Sequence, residues 1–319
     1  MDKQPTLSDL HDARRRIQAW IHQTPVLKSR VMDELHGCQL YFKCENLQRT
    51  GAFKFRGASN AVLSLDDSQA RAGVATHSSG NHGAALARAA GLRGIPCHVV
   101  VPDGAVQSKV EAIARYGGHI TRCAPTQEAR EQTLGQVLQQ TGAEAVPPYN
   151  DFRVICGQGT AALELLEQVE RLDLLMAPLG GGGLLSGCAI AGQGQVDVLG
   201  AEPAGADEGA RSLAAGRILA EGFTPDTLCD GLRATIGPLT FAIISEQVRQ
   251  VLTVSDEKVV ASMQQLWRIM KIVVEPSAAI VLAAVSVNPD IFTGKRVGLI
   301  LSGGNVDLDR LPWVEQPSA

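Results

Sequence analysis

The 319-residue sequence has no Cys-x-x-Cys pair, no basic stripe, no internal repeat, no low-complexity linker and no long apolar run, and each absence removes a class of function. Its seven cysteines (38, 44, 97, 123, 156, 188 and 229) are odd in number and irregular in spacing. They offer neither a disulfide framework nor a zinc site and fit reduced, buried thiols. The densest basic cluster is Arg14, Arg15 and Arg16; beside a net charge of −4, so short a run reads as a solvated helix face, and no nucleic-acid partner is expected. The opening stretch MDKQPTLSDLHDARRRIQAW lacks the apolar core of a signal peptide. The most apolar late stretch, IVVEPSAAIVLAAVSV, is broken by Glu275 and Pro276, and neither side is long enough to span a bilayer. These features predict a cytoplasmic protein with no membrane partner.

What is present has the balance of an ordinary globular protein, with 45 % hydrophobic and 19 % charged residues in a chain long enough for two lobes. Short β-branched runs alternate with helical patterns almost from end to end. LYFKC (40–44), GVATH (73–77), CHVVV (97–101), HITRC (119–123), DLLMAPL (173–179), VDVLGAE (196–202), VRQVLTV (248–254) and RVGLILS (296–302) read as strands. Helices are predicted to start near Asn81, Gln107 and Thr126, and after VLTV, where Ser255 caps a helix whose apolar face belongs to the core. This alternation predicts an α/β fold of open, twisted, mainly parallel sheets with helices on both faces. The turn-rich stretch TGAEAVPPYNDF (141–152) marks a crossing between lobes, with a boundary near residue 147.

Ligands of such sheets collect where strands lead into helix N-termini. In APLGGGGLLSG, Gly180, Gly181, Gly182 and Gly183 separate a strand from a helix, so that backbone amides converge on an anion; the spacing matches neither the dinucleotide fingerprint nor the P-loop. In THSSGNHG, Ser78, Ser79, Asn81 and the following amides offer a seat for a carboxylate, while His82 reads as an ordinary structural histidine. LILSGGNVDL ends the last strand on Ser302, placed to meet a ring nitrogen. Lys54, between Phe53 and Phe55, taken alone reads as a snorkelling side chain. Beside these loops it reads as an amine led into an apolar place, where a neutral amine is a usable nucleophile. A phosphate nest, a lysine at an apolar wall and a carboxylate seat together suggest pyridoxal phosphate.

The motifs KCENLQRTGAFKFRGA, SSGNHG, GQGTAALE, PLGGGGLLSG, EPSA and LSGGNVDL, in order along the whole chain, closely resemble the serine/threonine dehydratase and serine racemase family, pyridoxal-phosphate enzymes of the tryptophan-synthase-β fold type. The resemblance implies a large domain from residues 1–47 and 148–319, a small domain inserted at 48–147, and a homodimer. It makes Lys54 the lysine that bonds the cofactor aldehyde, Phe53 its neighbour at the ring and Asn81 the partner of the ring's phenolic oxygen. Gly180, Gly181, Gly182, Gly183 and Leu184 match the phosphate loop, and Ser302 the hydroxyl at the pyridine nitrogen. Ser79 matches the second base on the face opposite Lys54; Ser78, Ser79, Asn81 and Arg130 match substrate-binding positions. Glu202, the Ala206 carbonyl and Glu208 match a structural divalent-cation site suited to Mg²⁺, or to Ca²⁺ or Mn²⁺.

Two departures stand out. DGLRAT places Ala234 where animal racemases carry a serine, with Arg233 before it. The sequence stops at Ala319, shortly after LSGGNVDL, and the C-terminal regulatory domain of biosynthetic threonine dehydratases is not expected. The expected activity is therefore dehydration and deamination of a small β-hydroxy amino acid, L-serine or L-threonine first. A serine or aspartate racemase and a 3-hydroxyaspartate ammonia-lyase stand as alternatives. A cysteine-synthase-type enzyme is disfavoured by TGAFKFRG and SSGNHG, and a non-catalytic binding protein by the joint presence of Lys54, Ser79 and Ser302.

Overall fold

The structure is a computed structural model and describes residues 3–105 and 107–314; residues 1–2 and 315–319 of the expected large domain lie outside the described residues. Among the described residues there are ten strands. In chain order they are β1 (Val26–Leu27), β2 (Gln39–Cys44), β3 (Val74–His77), β4 (Cys97–Pro102), β5 (His119–Cys123), β6 (Glu144–Ala145), β7 (Leu174–Pro178), β8 (Asp197–Pro203), β9 (Gln250–Val254) and β10 (Arg296–Leu301). Six close into a sheet of order β1-β2-β10-β7-β8-β9, parallel except for the β1–β2 pair, and four into a parallel sheet of order β5-β4-β3-β6. Every strand read from the sequence is present. The two that escaped it, β1 and β6, have two residues each, too few to show a period of two.

Both sheets are covered on both faces, and the strands show it residue by residue. On β7, Leu174 and Met176 face one core while Leu175 and Ala177 face the other; on β10, Leu299 and Leu301 oppose Ile300. The small sheet repeats the pattern, with Val99 and Val101 on one side and Val100 on the other. The late apolar stretch becomes the helix Pro276–Val287, started by proline at its first position, with residues 277–285 buried all round. Among the described residues no helix is long and apolar enough to cross a membrane. The helix after β9, Asp256–Gln265, begins at Ser255 as expected, but the Ser255 hydroxyl caps nothing; Asp256 instead accepts hydrogen bonds from Thr227 and Leu228. All seven cysteines are buried and unbridged.

A buried ionic cluster fixes the helix that begins at Lys54 (Lys54–Leu63). From its first turn Arg56 donates to Glu45 (2.7 and 2.8 Å), after β2, and to Glu164 (2.7 and 2.8 Å), on the helix Phe152–Gln168. Lys43 on β2 completes it, donating to Glu164 at 2.7 Å. Burial opposes the Arg56 charge, but the two carboxylates more than offset it and hold its pKa above the ordinary value. GQGTAALE lies in the same contact: a Cβ at Gly157 would come within 2.6 Å of the Arg56 carbonyl, so glycine lets the two helices meet backbone to backbone.

Candidate active site

Lys54 is placed by backbone pairing with the end of β10. The Phe53 amide donates to the Ser302 carbonyl (2.9 Å), the Gly304 amide donates to Gly51 (2.9 Å), and Ala52 bridges Gly303. The loop before it carries Thr50 at φ 61°, a left-handed conformation unusual for a β-branched residue. The Lys54 amine is half-buried, donates to the Pro148 carbonyl at 2.6 Å and lies 5.2 Å from the centre of the Phe53 ring. Burial lowers its pKa to about 8, with Glu275 pulling the other way. Ser302 is buried beside this loop, and its hydroxyl has no protein partner among the described residues.

The tetraglycine loop forms a cradle of free donors. No amide of residues 180–185 donates to a protein acceptor among the described residues, and the first three residues of the helix Gly183–Gly192 contribute amides that no helix can satisfy internally. Gly182 has φ +89°, and a Cβ at Gly181 would overlap the Tyr149 ring. Thr240 holds the loop by donating to the Gly181 carbonyl at 2.9 Å. Buried amides without partners, opening a helix N-terminus, are what a phosphate group requires. The segment at 148–149 links this cradle to Lys54, since Pro148 receives the amine and Tyr149 lies on the glycines. Sequence reading marked that segment only as a crossing. No motif in it signals a site, because its role is steric.

Beyond β3, the amides of Ser79, Asn81 and His82 have no protein acceptor among the described residues, which leaves the expected carboxylate seat open. The Ser78 oxygen is partly engaged, accepting from Gly80 (3.4 Å) and Gly83 (3.2 Å), while Ser79 is half-buried and free of protein hydrogen bonds. His82 is structural, as read: it is buried, bonded to the Val146 carbonyl at 2.9 Å, and burial drives its pKa down to about 3. His77, just before the loop, also has a lowered pKa, first from burial, with Glu131 opposing and Arg130 adding to it. Arg130 thus stands beside this loop, with a buried Nε that has no partner among the described residues. Arg233, in contrast, is exposed and committed to the Thr227 carbonyl (3.1 and 2.5 Å). Asn81 donates to Glu275, a carboxylate 2 % exposed whose pKa is pushed up to about 7 by burial and Asp230, against Lys109 and Asn81.

Glu202 and Glu208 come together away from these loops. Glu202 accepts the Gly209 and Ala210 amides (2.9 and 2.8 Å), and Glu208 accepts the Ser212 hydroxyl and the Ile236 amide (2.5 and 2.8 Å). Among the described residues neither carboxylate pairs with a basic side chain. Burial pushes Glu202 up to about 8, and Glu208 adds to the shift. The buried Ala206 carbonyl accepts no protein hydrogen bond among the described residues.

Comparison with known proteins gives a consistent result. The family described as "Pyridoxal-phosphate dependent enzyme" matches residues 17–303. The chain is 50 % identical over 312 residues to a beta-hydroxyaspartate dehydratase of Paracoccus denitrificans, covering 97 % of this chain and 99 % of that protein. It is 46 % identical over 310 residues to an L-threo-3-hydroxyaspartate ammonia-lyase of Saccharomyces cerevisiae, covering 96 % and 95 %. The structure of maize serine racemase superimposes with a TM-score of 0.92 at 44 % identity, covering 96 % of this chain and 95 % of that one.

Proposed function

The chain belongs to the pyridoxal-phosphate-dependent enzymes, of the lyase and racemase type, and from that premise we propose an ammonia-lyase that dehydrates a small β-hydroxy amino acid to a keto acid and ammonia. The observation that carries this reading is the meeting, through residues 148 and 149, of a lysine amine with lowered pKa and a run of amides that have no protein acceptor among the described residues. Pyridoxal phosphate, when bound, supplies an electron sink for the pair released when the α-hydrogen leaves. The amides of residues 180–185 would hold its phosphate, Asn81 would meet its phenolic oxygen and Phe53 would lie by the ring. Ser302 would meet its nitrogen, where a hydroxyl, unlike a carboxylate, would not keep that nitrogen protonated. The amides after Ser78 hold the substrate carboxylate. Lys54 would take the α-proton, the β-hydroxyl would leave as water with an equivalent proton returned to it, and a second water would convert the released enamine, through its imine tautomer, to the keto acid and ammonia.

For the substrate, sequence alone put L-serine or L-threonine first. Arg130 supports 3-hydroxyaspartate instead: its buried Nε, without a partner among the described residues, is an N–H that suits a second carboxylate, and the two hydroxyaspartate enzymes above are 50 % and 46 % identical to this chain. Racemisation is the second reading, favoured by Ser79, whose unengaged hydroxyl offers a base opposite Lys54. We further propose that Glu202, Glu208 and the Ala206 carbonyl hold a structural Mg²⁺, Ca²⁺ or Mn²⁺, since two buried carboxylates repel each other there without a cation. We take residues 48–147 as a unit that closes over the site, and the protein as a homodimer. The deciding assay is keto-acid release from 3-hydroxyaspartate, L-serine and L-threonine, with D-serine measured separately. Abundant D-serine with little keto acid from any substrate would overturn the lyase reading.

A further inference from the structure

Asn81 is gripped on both sides of its amide. Its Nδ2 donates to both oxygens of Glu275 (2.9 and 3.2 Å), and its Oδ1 accepts from Asn305 Nδ2 (2.9 Å). The same Asn305 nitrogen donates to the Thr50 carbonyl (2.7 Å), in the loop that carries Lys54. Asn81 follows β3 of the small sheet, whereas Glu275 opens the helix Pro276–Val287 and Asn305 follows β10 of the large one, so the grip joins elements of both sheets. Glu275 is itself immobilised. Its amide donates to the Gly303 carbonyl at 3.0 Å, and a Cβ at Gly303 would stand 2.6 Å from its Oε1. A primary amide turned by 180° keeps its shape but exchanges donor and acceptor. Here the turned form would set the Asn81 oxygen against the Glu275 carboxylate and its NH₂ against that of Asn305. With Glu275 ionised, charge-assisted bonding therefore selects one orientation.

We propose that Glu275 and Asn305 are positioning residues that together lock the Asn81 amide so that it presents an N–H, and not its carbonyl oxygen, to the anionic ring oxygen of the cofactor. The proposal rests on the reading of Asn81 as that oxygen's partner. An N–H stabilises the anion, whereas a carbonyl oxygen raises the affinity of the site for a proton. The ionisation of the bound cofactor is visible in its absorbance, so the orientation of one buried amide sets a spectroscopic midpoint.

The experiment titrates the visible absorbance of the holoenzyme against pH, with melting temperature measured beside it. Asn305→Asp replaces the donor facing Asn81 by an acceptor and drives the amide to turn; the midpoint is expected to rise by about one pH unit, a tenfold change in proton affinity. Combining it with Glu275→Gln provides a donor at 275 and an acceptor at 305, so the turned amide is bonded again. The double variant should regain at least half of the lost melting temperature while its midpoint stays shifted, a separation that a merely structural role does not produce. Should Asn305→Asp alone fail to fold, the double variant, in which the turned amide is bonded and the net charge is that of the wild type, must show the raised midpoint by itself. An unmoved midpoint, or a midpoint that returns together with stability in the double variant, overturns the proposal. Asn81→Ala separates the two levels: a midpoint that it leaves unchanged removes the role of Asn81 itself, whereas one that shifts there but not with Asn305→Asp removes only the lock.

Discussion

Only the neutral amine of Lys54 can attack an aldehyde, so its pKa of about 8, against 10.5 for an ordinary lysine, has a direct kinetic consequence. At pH 7.5 roughly one Lys54 in four is neutral, compared with about one in a thousand ordinary lysines, which makes this amine roughly 240 times more available. When the apoprotein is mixed with pyridoxal phosphate and the visible band is followed by stopped flow between pH 6 and 10, the capture rate should rise about tenfold per pH unit at first. It should level off above about pH 8, the value to which burial brings the amine. Lys54→Ala is the blank and should give no such band at any pH. The same shift has a stability signature of defined sign. The unfolded chain binds the Lys54 proton more tightly than the folded one, so the apoprotein should gain stability as pH rises from about 8 to 10.5, and Lys54→Ala should not. A capture rate still climbing at pH 10 would show that Lys54 is solvated like any surface lysine and would refute the reasoning.

Other substitutions test the frame around it. Glu164→Gln leaves Arg56 and Lys43 buried with one carboxylate between them; the cost should be about 3–5 kcal/mol, read as a melting temperature roughly 4–8 °C lower. Gly181→Ala, whose new methyl group would overlap Tyr149, should weaken pyridoxal-phosphate affinity by about tenfold or more, measured by equilibrium dialysis, with little change in helix content. Addition of Mg²⁺ should raise the melting temperature of the wild-type protein, and Glu202→Gln should abolish that increase without removing the visible cofactor band.

Much of the architecture was legible because its signals are local. The tetraglycine run stands between a strand and a helix, and its amides have no protein acceptor among the described residues, while the alternating runs at 174–178 and 296–301 declare two covered faces through their own periodicity. The residues that escaped reading act through contacts far apart in sequence. Pro148 offers a carbonyl, Tyr149 a ring face and Thr240 a hydroxyl to groups tens of residues away, and none belongs to a spacing rule. Asn305 stood in a quoted motif, yet its bonds to Thr50 and Asn81 appear only when β10 lies against the Lys54 loop. Arg233 shows the reverse case, a charge near the site in sequence that the fold turns onto Thr227.

The sequence by itself determined the α/β class, the strand and helix order and the chemical types brought to the cleft, because periodicity, helix starts and glycine runs act over a few residues. Only the tertiary structure decided what those groups are. Lys54 becomes a weakly basic amine through the burial that neighbouring elements impose, Ser302 accepts the Phe53 amide with its carbonyl while its hydroxyl has no protein partner among the described residues, and Asn81 acquires one orientation from two residues about two hundred positions away. Desolvation and hydrogen-bond competition depend on what surrounds a group in space, and a linear pattern does not contain that information.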